Sequence, residues 1–224
     1  MSTNFATKDG ILIRVMTKED FKKIEESIYD EEPLRSGLED DTKAEVQLAL
    51  IEGLENYHNS LIEQGNCLVA INENDGGRIV GSVLAGCETY SNLQKNLALV
   101  AALDDGTFKR IATFEFETKI KVNYFERFGV SRVLLSHMTN VDASVRGKGL
   151  GTRLTAALIE LGRIQGFPIM IAFCTSFYSA RQKKALGMEC IYTQAYQDYR
   201  DANGEAVFKP PAPHTHTRIL ATKL

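Results

Sequence analysis

Three features of the sequence predict a mixed α/β fold. Short apolar runs of strand length alternate with stripes of apolar residues at helical spacing. From Arg132 onward the rhythm becomes strand, glycine-rich loop, helix, strand, helix, strand. No repeat, low-complexity tract or linker interrupts the 224 residues, of which 44% are hydrophobic and 25% charged, the composition of an ordinary globular protein with chain enough to bury a core. Length alone allows one large domain or two small ones, and one domain over residues 1–224 is the simplest account.

The elements follow in order. Ile11–Val15 is a short apolar run and reads as the first strand. Thr17-Lys18-Glu19-Asp20 has the spacing of a capping box, and Phe21, Ile24 and Ile28 continue at helical intervals, so a helix is expected over residues 18–30. Pro33 stops it. Val46, Leu50, Leu54, Tyr57 and Leu61 form one apolar stripe, predicting a helix over residues 41–64 with Gly65 as its stop. Residues 67–71 and 79–87 read as paired strands joined through Asn74-Asp75-Gly76-Gly77. Residues 93–103 are apolar without a period, a loop or short helix, and residues 108–128 read as a helix ending at Gly129.

The second half is more regular. Val133–Val141 reads as a buried strand, residues 149–165 as a helix, and residues 168–174 as a fully apolar strand. Residues 176–186 form a helix closed by Gly187, and Glu189–Ala195 another strand. Pro210, Pro211 and Pro213 mark a surface loop before a last strand at residues 217–224.

Composition excludes several functions. Lys and Arg number 26 against 29 Asp and Glu, a net charge of −3, with a pI near 5.9. Nucleic acid is not expected as a partner, since phosphate binding needs a dense basic face. Cys67, Cys87, Cys174 and Cys190 lie far apart in apolar, strand-like settings and read as small buried hydrophobes rather than as disulfides or metal ligands. His214 and His216 lack metal-type partners, so no metal is expected. The polar stretch 1–9 shows no signal peptide, and the longest apolar run, 168–174, is far short of the ~20 residues that span a bilayer. The expected setting is cytoplasmic, soluble and reduced, with no membrane partner.

The most informative segment is Val141-Asp142-Ala143-Ser144-Val145-Arg146-Gly147-Lys148-Gly149-Leu150-Gly151. A buried strand runs into a loop with three glycines in five positions, and an amphipathic helix starts directly afterwards. Glycines let the backbone approach a ligand, and a helix N-terminus offers unpaired amides and a positive dipole end. Arg146 and Lys148 add charge. These are the parts of a pyrophosphate cradle, although a tight strand-to-helix turn would use the same glycines. The spacing excludes a Walker A loop, and Thr152 stands where a dinucleotide fingerprint needs its third glycine.

Arg146-x-x-Gly149-x-Gly151 matches the [RQ]-x-x-G-x-[GA] motif with which Gcn5-related N-acetyltransferases bind acetyl-CoA. More narrowly, the chain resembles the insect arylalkylamine N-acetyltransferases, the group that includes dopamine N-acetyltransferases. Asp30-Glu31-Glu32-Pro33-Leu34 is similar to their D-E-P-L segment, and Cys174-Thr175-Ser176-Phe177-Tyr178-Ser179-Ala180-Arg181 to their C-S-S-x-x-S-A-R stretch. The similarity runs from about Ile11 to the end. It implies the acyl-CoA N-acyltransferase fold: a central, mostly antiparallel sheet, splayed parallel strands at the CoA site, and helices on both faces. The CoA-binding core falls at about residues 132–195.

The resemblance also implies roles. Acetyl transfer to an alkylamine needs a base, because an amine of pKa near ~10 arrives as its ammonium. That base is Glu32, immediately before Pro33, or Glu31 if the alignment slips by one. Many superfamily members protonate the leaving thiolate with a tyrosine four residues before the helix-ending glycine, but here that position is Lys183. The insect subfamily points instead to Ser179 and, with a Ser-to-Thr departure, Thr175; a hydroxyl at the start of this helix, Thr175 or Ser176, also serves as a cap. Acetyl-CoA would lie along Thr139, Asn140 and Val141, with its pyrophosphate on Arg146, Gly147, Lys148, Gly149, Leu150, Gly151 and Thr152, and with Ser176 nearby. A backbone amide of the strand could polarise the thioester carbonyl. His137 could order water toward Glu32 or be satisfied within a packed strand. Tyr29, Tyr178 and His137 are candidates for the amine pocket, with Tyr90, Phe177, Tyr192 and Tyr196 as further aromatic walls.

The expected reaction is direct transfer from acetyl-CoA to an arylalkylamine of the dopamine, serotonin or tryptamine type, in a ternary complex. Cys174 has no evident activating base that would make it a covalent acyl carrier. The alternatives are a longer acyl-CoA, a polyamine or histamine acceptor, or a non-catalytic CoA-sensing or protein-binding module.

Overall fold

The computed structural model describes residues 4–25, 33–35, 57–103 and 105–224. Its strands are β1 (Asn4–Lys8), β2 (Ile11–Val15), β3 (Leu68–Asn72), β4 (Arg78–Glu88), β5 (Val133–Val141), β6 (Ile169–Cys174), β7 (Glu189–Ala195) and β8 (His216–Lys223). Its helices are α1 (Lys18–Lys22), α2 (described over residues 57–63), α3 (Tyr90–Ala101), α4 (Thr107–Val122), α5 (Tyr124–Phe128), α6 (Leu150–Ile164) and α7 (Phe177–Ala185). The eight strands form one sheet in the order β1-β2-β3-β4-β5-β6-β8-β7, antiparallel throughout except where β5 meets β6. This is the acyl-CoA N-acyltransferase fold.

Alternate strand residues separate into different core clusters, as the period of two requires. Leu134, Met170, Ala172, Cys174 and Leu220 face Leu150, Leu154, Leu158 and Leu161 of α6 and Ala180 of α7. On the opposite face, Leu135, Ile171, Phe173 and Ile219 meet Phe114 of α4, Tyr124 of α5 and Leu93 of α3. Leu34, buried within the short turn Pro33–Arg35, belongs to that second cluster. Met16, Phe21, Leu61 and Ile62 cover Val69 and Leu84 at the other end of the sheet.

Most expected elements form where the pattern placed them. The capping box of α1 is complete, with Thr17 and Asp20 each bonding the other's backbone amide. The described part of the expected helix at 41–64 is α2, followed by Gly65 at φ +70°. Two readings need correction, and a third, open between a loop and a short helix, resolves to a helix. The polar segment before β2 is itself a strand, β1, joined through Asp9 and Gly10, both at positive φ; an edge strand carries little apolar signal. Residues 93–103 lie largely in α3, a helix of 12 residues capped by Thr89. The single helix expected at 108–128 is two, because Asn123 adopts the left-handed conformation (φ 39°) and starts α5 by accepting from the Glu126 amide.

The feature that positions the site is a fork between the two parallel strands. β5 and β6 pair only at Leu134–Met170, Leu135–Ile171 and Ser136–Ala172. Beyond that rung β5 stays on β4 as far as Val141, while β6 stays on β8 as far as Cys174. The pairing of β4 with β5 steps from Ala85–Ser136 to Leu84–Met138, leaving His137 as a bulge residue at the base of the fork. Bulges bend a strand and increase its twist, which helps turn β5 away from β6.

Candidate active site

The loop between β5 and α6 is braced from within. Asp142 accepts from Arg78 at 2.8 Å and from the Ser144 amide at 2.9 Å. Arg146 is exposed, and its Nε donates to the Val141 carbonyl at 2.8 Å. Gly147 and Gly149 both sit at φ +77°, and no heavy atom lies within 4 Å of where a Cβ would stand. The loop thus presents open backbone. Gly149 also caps α6 without a side chain, so the first-turn amides remain available to an anion. Gly151 differs: a Cβ there would come within 3.1 Å of Gln182 Oε1, and the Gln182 amide donates both to the Gly151 carbonyl and, at 2.6 Å, to Thr155 Oγ1. The third glycine of the motif therefore lets α7 dock on α6.

On the α4 face, the bulge turns His137 toward an ionic group. Lys119, almost fully buried, reaches Glu115 Oε1 at 2.7 Å and Glu88 Oε1 at 3.3 Å, and Tyr124 donates to the other Glu88 oxygen. His137 Nδ1 lies 3.8 Å from Glu115 Oε1, and the imidazole meets Tyr57 edge-on with centroids 5.5 Å apart. Burial lowers the His137 pKa, with Glu115 opposing, so the ring is neutral at pH 7. Burial works against the Glu115 carboxylate too, but Lys119 outweighs it and holds it below its usual range. For Glu88 burial prevails and the pKa rises. Among the described residues, Ser136 Oγ, His137 Nδ1 and Thr139 Oγ1 are buried with no hydrogen-bond partner, three polar atoms of β5 along the fork.

On the α6–α7 face, the end of β6 meets the start of α7. Ser176 caps α7 by accepting from the Tyr178 amide at 3.2 Å, and the Thr175 carbonyl accepts from Tyr196 Oη at 2.6 Å. One turn into α7, Ser179 Oγ donates to Cys174 Sγ at 3.5 Å and accepts from Lys183 Nζ at 3.1 Å. Lys183 is buried, and burial pulls its pKa down.

No family model matches the sequence. Solved structures similar to it include an agmatine N-acetyltransferase, 28% identical over 96% of this chain and 100% of that one, with a TM-score of 0.80. The Drosophila melanogaster polyamine N-acetyltransferase that forms N-acetylagmatine is 28% identical over 96% of this chain and 100% of its own, at 0.81. Arylalkylamine N-acetyltransferase 2 from Aedes aegypti is 26% identical over 96% and 99%, at 0.78. These likenesses support the Gcn5-related N-acetyltransferase superfamily that the glycine-loop motif resembles. Within that superfamily its relatives are insect amine acetyltransferases, and it is an amine N-acetyltransferase.

Many of the site residues expected from the sequence lie around one fork. Thr139, Asn140 and Val141 lie on the freed part of β5; Arg146 to Thr152 form the loop and first turn of α6; Thr175, Ser176 and Ser179 stand where β6 enters α7. Tyr178 is less well placed: it is 60% exposed and leans edge-on against Phe177 and His214. Glu32, its neighbour Glu31, and Tyr29 lie outside the described residues. Sequence reasoning missed the interior charges Lys119, Glu115 and Glu88. Glu115 and Lys119 form an i,i+4 pair on α4, which reads equally well as a solvated face, and Glu88 is the polar last residue of β4. Lys183 was visible only as a departure from the usual tyrosine. Among the described residues no cluster of three or more His, Cys, Asp or Glu suits a metal ion, and no helix is long and apolar enough to cross a membrane.

Proposed function

We propose that this enzyme transfers the acetyl group of acetyl-CoA to the primary amine of an arylalkylamine, by direct attack within a ternary complex. The observation that carries the reading is the fork: β5 separates from β6 one residue before His137, and the freed strand leads straight into the open Gly147–Gly149 backbone and the uncapped start of α6. An extended pantetheine chain with amide groups can pair with the free edge of β5, as an added strand pairs with any sheet edge. The pyrophosphate then meets the loop amides and the helix dipole. The thioester comes to lie at the fork, between Ser179 on one face and His137 on the other.

The proposed base is Glu32, carried by the resemblance of its segment to that of the insect enzymes. The described residue Leu34 is fully buried in the same core cluster as Phe114 and Phe173, on the α4 side of the sheet where His137 meets Glu115. His137, neutral and with no hydrogen bond at Nδ1 among the described residues, suits a water that hands the amine proton toward a carboxylate.

A second acceptor class has its own support. The agmatine and polyamine N-acetyltransferases are at least as similar to this chain as the arylalkylamine enzyme, at 28% against 26% identity. Thiol release from acetyl-CoA, measured with dopamine, serotonin, tryptamine, histamine, agmatine and spermidine, separates the two. A kcat/KM highest for an aromatic amine supports the first reading, and one highest for agmatine or spermidine replaces it with the second. No release with any amine removes both and leaves a CoA-binding module.

A further inference from the structure

We propose that Lys183 is the positioning residue and proton reservoir for the departing thiolate, acting through Ser179. The inference rests on the N-acetyltransferase reading above and adds a group to it. Cys174 lies on β6 beyond the last rung shared with β5, on the face covered by α6 and α7, so the residues around its sulfur border the fork. Ser179 and Lys183 follow on one face of α7, four residues apart, and line up as Lys183 Nζ, Ser179 Oγ, Cys174 Sγ at 3.1 and 3.5 Å.

The direction of these bonds matters. An ammonium has three donors and no acceptor, so it must occupy a lone pair of Ser179 Oγ. The hydroxyl hydrogen is thereby left to be donated, and in the free enzyme it points at Cys174 Sγ, a weak acceptor. A developing thiolate is a far better acceptor. Lys183 thus holds Ser179 as a donor ready for sulfur.

Its surroundings also favour giving up a proton. The side chain is 2% exposed, and no ion pair with a carboxylate forms among the described residues. Burial lowers the pKa, and the Cys174 thiol opposes this weakly. The other polar groups nearby are engaged elsewhere. Gln182 of α7 bonds α6, Arg153 of α6 donates to the Lys8 and Ile11 carbonyls, and Arg181 and Lys184 are exposed. On β8, Arg218 donates to the His216 carbonyl, and His216 Nδ1 pairs with Thr215 Oγ1; His214 accepts from the Phe177 amide; on β7, Cys190 contacts the Tyr192 carbonyl.

In the step itself, the amine nitrogen forms the new C–N bond and the C–S bond breaks, its electron pair remaining on sulfur. Ser179 passes its hydroxyl proton to that sulfur and receives one from Lys183 Nζ. The neutral lysine is reprotonated from water after the thiol departs. The proton lost by the amine leaves through the base, so charge and atoms balance.

The test compares the parent, Lys183→Met, Ser179→Ala and the double variant, using acetyl-CoA and its acetyl selenoester analogue, whose selenol leaves as the anion without help. Lys183→Met should lower kcat with acetyl-CoA by about tenfold or more at unchanged KM for acetyl-CoA. The loss should shrink to less than twofold with the selenoester, the double variant should be no slower than the worse single one, and the alkaline limb of the parent's kcat profile should disappear. A kcat within twofold of the parent, or an equal loss with both acyl donors, overturns the relay while leaving the acetyltransferase reading intact. A parent that transfers no acetyl group overturns both. If Lys183→Met does not fold, Ser179→Ala decides: loss of the alkaline limb supports the relay, and an unchanged limb overturns it.

Discussion

At the scale of single residues, the glycine loop separates two tasks that the motif merges. Gly147 and Gly149 are needed at φ +77° with open space around them, whereas Gly151 is needed for the closeness of Gln182. On the proposed reading the pyrophosphate rests on backbone amides, and the exposed Lys148 adds only a screened charge worth about 0–1 kcal/mol. Calorimetry should show Gly149→Val losing at least about tenfold in CoA affinity, through the left-handed backbone as well as through bulk, and Lys148→Ala losing about fivefold at most. Equal affinity in Gly149→Val and the parent would move the pyrophosphate elsewhere. The same scale holds the base. Glu32→Gln keeps size and hydrogen bonding but removes the basic oxygen, so turnover should fall by about 10²–10⁴-fold while CoA still binds. Glu31→Gln is the control and should be nearly silent. A crippled Glu31→Gln beside a fully active Glu32→Gln would shift the assignment by one residue, and full activity in both would abolish it.

At the scale of elements, the fork predicts a local dynamic signature. The β5 amides that face away from β4 between His137 and Val141 have no strand partner among the described residues, so they should exchange rapidly in the free enzyme and become protected by saturating CoA. Hydrogen exchange that leaves this segment unchanged would rule out pairing with the pantetheine chain. α2 supplies a second signature. His58 is buried against Phe21 of α1, and burial, reinforced by His137, pulls its pKa from 6.5 to about 3. The folded state refuses a proton that the unfolded chain accepts, so this contribution to stability is complete above pH 6.5 and declines as pH falls toward 3. Each unit in that window should cost about 1.4 kcal/mol per such histidine. His137 acts in the same sense, whereas Asp20, held low by Arg14 against its burial, matters only at lower pH. Chemical denaturation between pH 4 and 6 should show a slope reduced by about one proton in His58→Asn, and an unchanged slope would mean that His58 titrates normally.

The elements also show what the sequence could reveal. β5, α6, β6, α7 and β7 were readable to within a residue or two because each couples a clear period to a glycine, proline or hydroxyl stop. β1 and the α4–α5 break were not, since the first is a polar edge strand and the second turns on one asparagine adopting φ 39°. In the candidate site, residues tied to a motif could be singled out from the sequence, and residues defined by burial could not. Lys119 and Lys183 look like any surface lysine in sequence. Only the packing of Phe116 and Phe173 beside one, and of Cys174 and Ser179 beside the other, makes them interior charges.

At the scale of the whole molecule, the order of strands ties both halves of the chain together. β8 is inserted between β6 and β7, so β7 reaches the sheet only through the last strand formed, and β6 is held by β5 on one side and β8 on the other. Arg153 of α6 reaches back to the β1–β2 turn, donating to the Lys8 and Ile11 carbonyls at 3.2 and 3.1 Å. Leu134 and Leu220 share one core cluster with Ile13 and Leu68, so side chains from both ends of the sequence lie in the same apolar layer. We therefore propose one cooperative unit over residues 1–224. Denaturant unfolding followed by far-ultraviolet dichroism and by tyrosine fluorescence, the available intrinsic probe in a chain with 8 Tyr and 0 Trp, should give coincident single transitions. Leu220→Ala leaves a cavity at a fully buried position and should lower stability by about 2–5 kcal/mol, shifting both probes equally. Two separate transitions, or a variant that moves one probe and not the other, would divide the chain into independent units.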